Sequence, residues 1–308
     1  MESDRIDRSH PGRGHLAMLF ATILWGAMSP IAKGVLQEGA LNGLALSAIR
    51  ISGGALLFCM AAMLPSHLTG DVRIDRKDFG KLFLASLLMI SANQGLFIIG
   101  ISYTTPIDTT VMCTLTPVFT LLLAAIFIGQ RLTVLKIAGV VIGLSGALIM
   151  AFTGGSSDVA VNPLLGDMLC LGAQICAAVY YVFFLGIINR YPPFTIMKWM
   201  FLLSALTYVP CMTPWLMQTD WQALSSNSLW SLAYIVVFPT FIAYLIIPFS
   251  QRLLKPTVIS MYAYFQPVVA ALIASAMGLA MFGLERIIAT ALIFAGVFMV
   301  SYNARLNR

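Results

Sequence analysis

The middle of the long apolar runs in this sequence holds amides, hydroxyls and aromatic rings, with no acidic residue or histidine among them. Trp25 and Ser29 lie in the first run, Asn93 and Gln94 in the third, and Thr110 and Thr114 in the fourth. Gln174, Tyr180 and Tyr181 follow in the sixth, Tyr244 in the eighth, and Tyr262, Tyr264 and Gln266 in the ninth. Side chains of these types bind a partner through hydrogen bonds and ring faces, and they are poor at moving protons. They are costly in lipid and therefore turn toward a bundle interior. Their competing role is hydrogen bonding between helices, worth about 0.6 kcal/mol on average. A cavity is the favoured role for the adjacent Asn93 and Gln94. For each tyrosine the two roles are balanced, since tyrosines also populate membrane interfaces. A cavity so lined suits a small neutral or zwitterionic molecule.

The lack of mid-run carboxylates argues against general acid–base or metal chemistry, and so against an enzyme. It also argues against exchange of protons for a cationic drug. Proton coupling through Asp108 or Asp167, near the run ends, stays open. The charges within the runs are positive. Arg50 lies about two turns into the second run, where its planar fork suits a carboxylate. Pairing with Glu38 or with helix-end carbonyls is the favoured reading. Lys33 is expected to snorkel to the interface and Lys198 to anchor a run end. Cys59, Cys113, Cys170, Cys176 and Cys211 lack CxxC spacing and read as packing residues. No glycine-rich phosphate loop appears, so ATP is not the expected driver, and no cofactor or metal is implied.

These side chains need a membrane scaffold. The chain has 308 residues, of which 59% are hydrophobic and 10% charged, and its mean hydropathy is +0.90. Twelve acidic and eighteen basic residues cannot coat a soluble globule of this length. The apolar runs fall near 15–36, 43–65, 80–101, 108–128, 133–153, 165–188, 195–216, 229–249, 257–280 and 285–303. Each is close to the length of about 20 residues that a spanning helix needs. Helices are the only sensible element, since a barrel would show short alternating segments. The first run is long enough to span, and no small-residue cleavage site follows it.

The net charge of +6 does not mark a nucleic-acid binder, because the basic residues sit in the gaps between runs. The N-terminal tail, the even-numbered connections and the C-terminal tail hold fourteen of the eighteen. Of the odd-numbered connections only the ninth holds one, Arg286. This asymmetry orients the chain with both termini in the cytoplasm.

Shifting the chain by 150 residues lays 93–150 on 243–300 without a gap. Pro106 then meets Pro256, Pro117 meets Pro267, and Gly146 meets Gly296. Gln94 meets Tyr244, Thr114 meets Tyr264, and Thr116 meets Gln266, so polar groups recur at matching depths. Two halves of five spans imply an inverted repeat, with a site at mid-membrane between them. Pro117 and Pro267 near mid-span remove a backbone donor and loosen the preceding turn, which reads as helix breaking and gating. Pro106 and Pro256 suit helix starts. In the fifth run Gly139 and Gly143 are four apart with Gly146 beyond, a spacing that lets helices approach closely. Their partner is either the tenth helix or a second copy, which keeps a homodimer open.

The sequence resembles the drug/metabolite transporter superfamily, and within it the EamA-type ten-span transporters. The segments that carry the likeness are Leu24-Trp25-Gly26, Ala48-Ile49-Arg50, Leu115-Thr116-Pro117-Val118-Phe119, Phe265-Gln266-Pro267-Val268-Val269 and Gly129-Gln130-Arg131-Leu132, the last with Gln130 where glutamate is usual. The resemblance covers nearly the whole chain. It implies a 5+5 fold in which the first four helices of each half surround a central cavity and the fifth and tenth pack at the side. It also implies a small-molecule substrate, from amino acids and other metabolites to sugars and drugs.

The fold expected is thus an all-α integral membrane protein of ten helices in a bilayer. Residues 1–14 form a tail, 15–153 the first five-helix repeat, 165–303 the inverted second, and 304–308 a tail. The function expected is alternating-access transport of an amino acid or related zwitterion across a bacterial inner membrane, with export favoured on family grounds. The competing readings are a non-transporting receptor or assembly factor, and a carrier of nucleotide-sugar, sugar phosphate or lipid. The latter would need more cavity cations than Arg50.

Overall fold

In lipid a lone chain segment can satisfy its own backbone polar groups only as a helix, and among the described residues no strand occurs. The computed structural model describes residues 11–104, 109, 112–152, 162–276 and 284–306. Helix α1 spans Pro11–Gln37, α2 Gly43–Ala62 and α3 Arg76–Tyr103. Helix α4 spans Thr116–Phe127 and α5 Val134–Phe152. The second half contains α6 (Pro163–Phe183), α7 (Leu185–Arg190), α8 (Pro193–Met217) and α9 (Ser226–Leu253). It continues with α10 (Pro256–Met261), α11 (Phe265–Ala276) and α12 (Leu284–Leu306). Six of these, α1, α2, α3, α6, α8 and α9, are long and apolar enough to cross a membrane. Large apolar side chains such as Leu16, Ile126, Val134, Leu206 and Phe298 point outward. A bundle set in lipid exposes such residues at no cost.

Two breaks matter for the interior. A turn at Thr114–Leu115 precedes α4, and Pro117 sits in the first turn of α4. A 3₁₀ turn over Tyr262–Tyr264 separates α10 from α11, and Pro267 sits in the first turn of α11. A proline without an N–H is best tolerated at such a start. Two long helices also carry a π turn, Leu87–Ala92 in α3 and Val237–Ile242 in α9. These turns are 150 residues apart, the same shift that superposes the prolines.

The connections sort into two ends. At the basic end Asp78 accepts from Arg190 (2.6 Å) and from Tyr191 (2.8 Å), and Asp71 pairs with Lys198. The Arg252 guanidinium donates to the carbonyls of Ile188 (3.0 Å) and Tyr191, and Gln130 bonds Thr257 at 2.8 Å. At the opposite end Ser225 Oγ donates to Glu38 (2.7 Å) and the Asp220 N–H to the Ala40 carbonyl (3.0 Å). There too Thr104 Oγ1 donates to Asp167 at 2.7 Å.

Lys33 does not snorkel. Its ammonium is buried and donates to the carbonyls of Ile101 and Thr104, both at 3.0 Å. It caps the C-terminal end of α3, where carbonyls lack helical partners and a cation is favoured. The glycine-rich face of α5 meets α12 of the same chain. A Cβ on Gly296 would lie 2.5 Å from the Gly139 carbonyl oxygen and 2.6 Å from the Gly143 nitrogen, so only glycine permits this crossing.

Candidate functional site: a central polar cavity

A cavity of about 70 Å³ lies among α1, α2, α3, α6, α9 and the segments around α4, α10 and α11. Of the side chains singled out from the sequence, Trp25, Arg50, Asn93, Gln94, Gln174, Tyr181, Tyr244 and Gln266 line it. Ser29, Thr114, Tyr180 and Tyr264 are buried outside that lining. Tyr180 packs on Tyr181 and Phe184, and Tyr264 donates to the Val140 carbonyl at 3.1 Å. Thr110 lies outside the described residues.

Lining side chains beyond that set include Thr22, Thr116, Ser260 and three methionines, Met18, Met28 and Met89. Of the two adjacent tyrosines named from the sequence, Tyr181 rather than Tyr180 lines the cavity, because Gln174, Ala177 and Tyr181 fall at i, i+3 and i+7 on one helix face. Methionine fills irregular space and adapts to shape, but its apolar type hides it from a search for polar groups.

Arg50 is 2% exposed. Its Nε donates to Thr240 Oγ1 at 3.0 Å, and Thr240 Oγ1 donates to the Ile235 carbonyl at 2.8 Å. Its two terminal nitrogens have no partner among the described residues. Glu38, the counter-ion expected from the sequence, is bound to Ser225 instead. The physical reason is distance along the axis: Glu38 belongs to the α1–α2 connection, whereas Arg50 is two turns inside α2.

Trp25 also reaches the π turn of α9, where its indole N–H donates to the Pro239 carbonyl at 2.9 Å. Its ring meets Tyr244 edge-on at 5.7 Å, and Phe201 meets the Tyr244 ring from another side at 5.4 Å. Asn93 donates to the Ala173 carbonyl at 2.7 Å and accepts from the Tyr244 hydroxyl at 3.4 Å. Gln94 is 1% exposed, and its amide lies close to the Tyr244 hydroxyl without a well-aligned hydrogen bond. Thr116 can donate to Gln174 Oε1 at 2.8 Å. The cavity thus presents a fixed cation, an amide and the rings of Trp25, Tyr181 and Tyr244, with no acidic side chain among the described residues of its lining.

The sequence matches the model of the EamA-like transporter family twice, over residues 12–152 and 164–302. An uncharacterized transporter of Archaeoglobus fulgidus is 24% identical over 67% of this chain and 69% of its own length. A protein of Streptantibioticus cattleyicolor named a probable terminal-alkyne amino-acid exporter is 26% identical over 57% of this chain. The match spans 56% of that protein's length. An uncharacterized inner membrane transporter of Salmonella typhimurium is 20% identical over 95% of this chain and 96% of its own. One solved protein structure superposes with a TM-score of 0.74 at 17% identity, over 95% of this chain and 98% of that one, a likeness of fold.

Proposed function

This chain belongs to the EamA-like transporter family, and we propose that it carries a small zwitterion of the amino-acid type across a bacterial inner membrane by alternating access. The observation that carries the reading is Arg50. A buried guanidinium with its terminal nitrogens uncommitted and facing a cavity suits a carboxylate, which it grips with two parallel hydrogen bonds. The Gln94 amide adds a donor and an acceptor. The ring faces of Trp25, Tyr181 and Tyr244 accommodate an ammonium without an acidic residue. A single cavity cation favours a monocarboxylate over a nucleotide-sugar or sugar phosphate. The relative named as an amino-acid exporter supports both the cargo class and the outward direction.

In this reading each matched stretch supplies five spans, the second inverted. The π turns 150 residues apart support that arrangement. The basic end faces the cytoplasm. Hydrogen bonds and ion pairs link connections at each end, and the cavity of about 70 Å³ is smaller than the cavity of about 150 Å³ that admits benzene. Loading therefore requires the cavity to widen.

The test is counterflow in proteoliposomes against a panel of labelled amino acids, sugars and amines, with and without a pH gradient. Exchange of carboxylate-bearing zwitterions is expected, with Arg50→Gln lowering it about tenfold or more. Unchanged exchange in an Asn93→Ala, Gln94→Leu double variant would remove the site assignment. No solute exchange at all would favour a receptor or assembly factor.

A further inference from the structure

A second cavity, of about 410 Å³, lies at the basic end and is lined separately from the central one. Its described lining includes three cations, Arg131, Lys136 and Lys255, and no acidic residue. Lys136 is 2% exposed, and its ammonium donates to the Arg131 carbonyl at 2.7 Å. Lys255 is close enough to repel it. Of the three only Lys136 is buried, with Lys255 half-buried and Arg131 exposed, and a buried cation beside a like charge is favoured by an anion that joins them.

A second observation points into the same space. Gln251, 2% exposed, lines the cavity with both amide atoms unpartnered, and the buried Asn189 Oδ1 beside it is unpartnered too. Each unpaired group costs about as much as a lost hydrogen bond. Together they offer both donor and acceptor capacity to a ligand. Phosphate fits this combination: its oxygens accept from the cations and the amide, and at neutral pH it retains a hydroxyl that donates. Sulfate and chloride have no such hydroxyl.

We propose that this cavity is a binding site for a phosphate group, distinct from the cargo site. Its walls come from both family-matched stretches, with Arg131 and Lys136 on one side and Asn189, Gln251 and Lys255 on the other. Gly129, at φ +63°, turns the chain so that Gln130 reaches Thr257 at the rim. A phosphate held here ties the halves together and opposes opening of the basic end.

The test uses the full chain, purified in detergent and stripped of lipid. Thermal stability is read against inorganic phosphate, sulfate and chloride at matched ionic strength. A second arm uses native mass spectrometry after exposure to phosphatidic acid or phosphatidylcholine. A saturable rise in melting temperature specific to phosphate supports the site and identifies free phosphate as a source. Selective retention of phosphatidic acid without a phosphate response supports it with a lipid headgroup as the source. Arg131→Gln with Lys255→Gln, or Gln130→Glu alone, is expected to weaken either response about tenfold or more. The Gln130→Glu variant keeps an acceptor for Thr257 and so guards against loss of fold. Equal responses to all three salts together with no lipid preference would overturn the proposal, as would responses undiminished in both variants.

Discussion

The Nε of Arg50 in α2 donates to the hydroxyl of Thr240 in α9, one residue after a proline that breaks the helical bonding there. Pro239 cannot bond the Ile235 carbonyl four residues back, and the Thr240 hydroxyl takes that carbonyl at 2.8 Å. One hydroxyl thus repairs the π turn and orients the guanidinium. The first stretch has its counterpart. Ser91 Oγ donates to Ser204 Oγ of α8, which donates to the Ser86 carbonyl beside the π turn of α3. Each π turn is reached by the second long helix of the opposite stretch.

Thr240→Val keeps the shape and removes the hydroxyl, leaving the Ile235 carbonyl and the Arg50 Nε without it. Unfolding should become easier by about 1–3 kcal/mol. A double-mutant cycle with Arg50→Leu should show coupling beyond about 0.5 kcal/mol. Strict additivity in thermal or denaturant unfolding would mean that the pair does not act together.

Trp25→Phe tests the other grip on this turn. Phenylalanine keeps a ring against Tyr244 but cannot donate to the Pro239 carbonyl. Cargo affinity measured by binding should change less than the rate of exchange. The reverse pattern would place the indole N–H on the cargo rather than on the turn.

The α5–α12 crossing predicts a sharp contrast between two glycines. Gly296→Ala puts a methyl group against backbone atoms of Gly139 and Gly143, and such overpacking costs about 1–3 kcal/mol. Gly34→Ala in α1 meets nothing within 4 Å and should be neutral or stabilising by about 0.5–1 kcal/mol. The melting temperatures of the two variants check this, and a Gly296→Ala protein as stable as the parent would refute the close crossing.

At the end opposite the basic residues, hydrogen bonds from Ser228 and Ser225 hold the exposed Glu38 carboxyl below its ordinary range. A depressed folded value means that its stabilisation is complete above the free value, about 4.3 for glutamate, and fades as pH falls through the folded value. The stability difference between the parent and Glu38→Gln should therefore be constant near neutrality and shrink on acidification. A difference that grows as the pH drops would reverse the sign of the linkage.

The likeness read from Leu115-Thr116-Pro117 and Phe265-Gln266-Pro267 is borne out by the two family matches. Depth was legible from hydropathy, which is why Trp25, Asn93, Gln94, Tyr244 and Gln266 could be picked as interior groups. Direction around the helix was harder to read. Tyr180 and Tyr181 sit about 100° apart on one helix, and only the stripe through Gln174 separates them. The π turn at Leu87–Ala92 contains no proline to announce it. The uncommitted fork of Arg50 depends on which residues share its level in other helices, and no spacing along α2 encodes that. The phosphate cavity was hidden for the same reason, since its walls are drawn from separate connections of both halves.

The exchange of contacts, from α2 to α9 and from α8 to α3, makes the two matched stretches behave like obligate subunits that happen to share one chain. Made alone, the first stretch would hold the Arg50 cation against lipid at a cost of about 2.5–3.5 kcal/mol. It would also leave Ser86 without the Ser204 hydroxyl. Two fragments cut between residues 152 and 164 should therefore each be short-lived when made separately. Co-expressed, they should rescue one another and purify as a heterodimer.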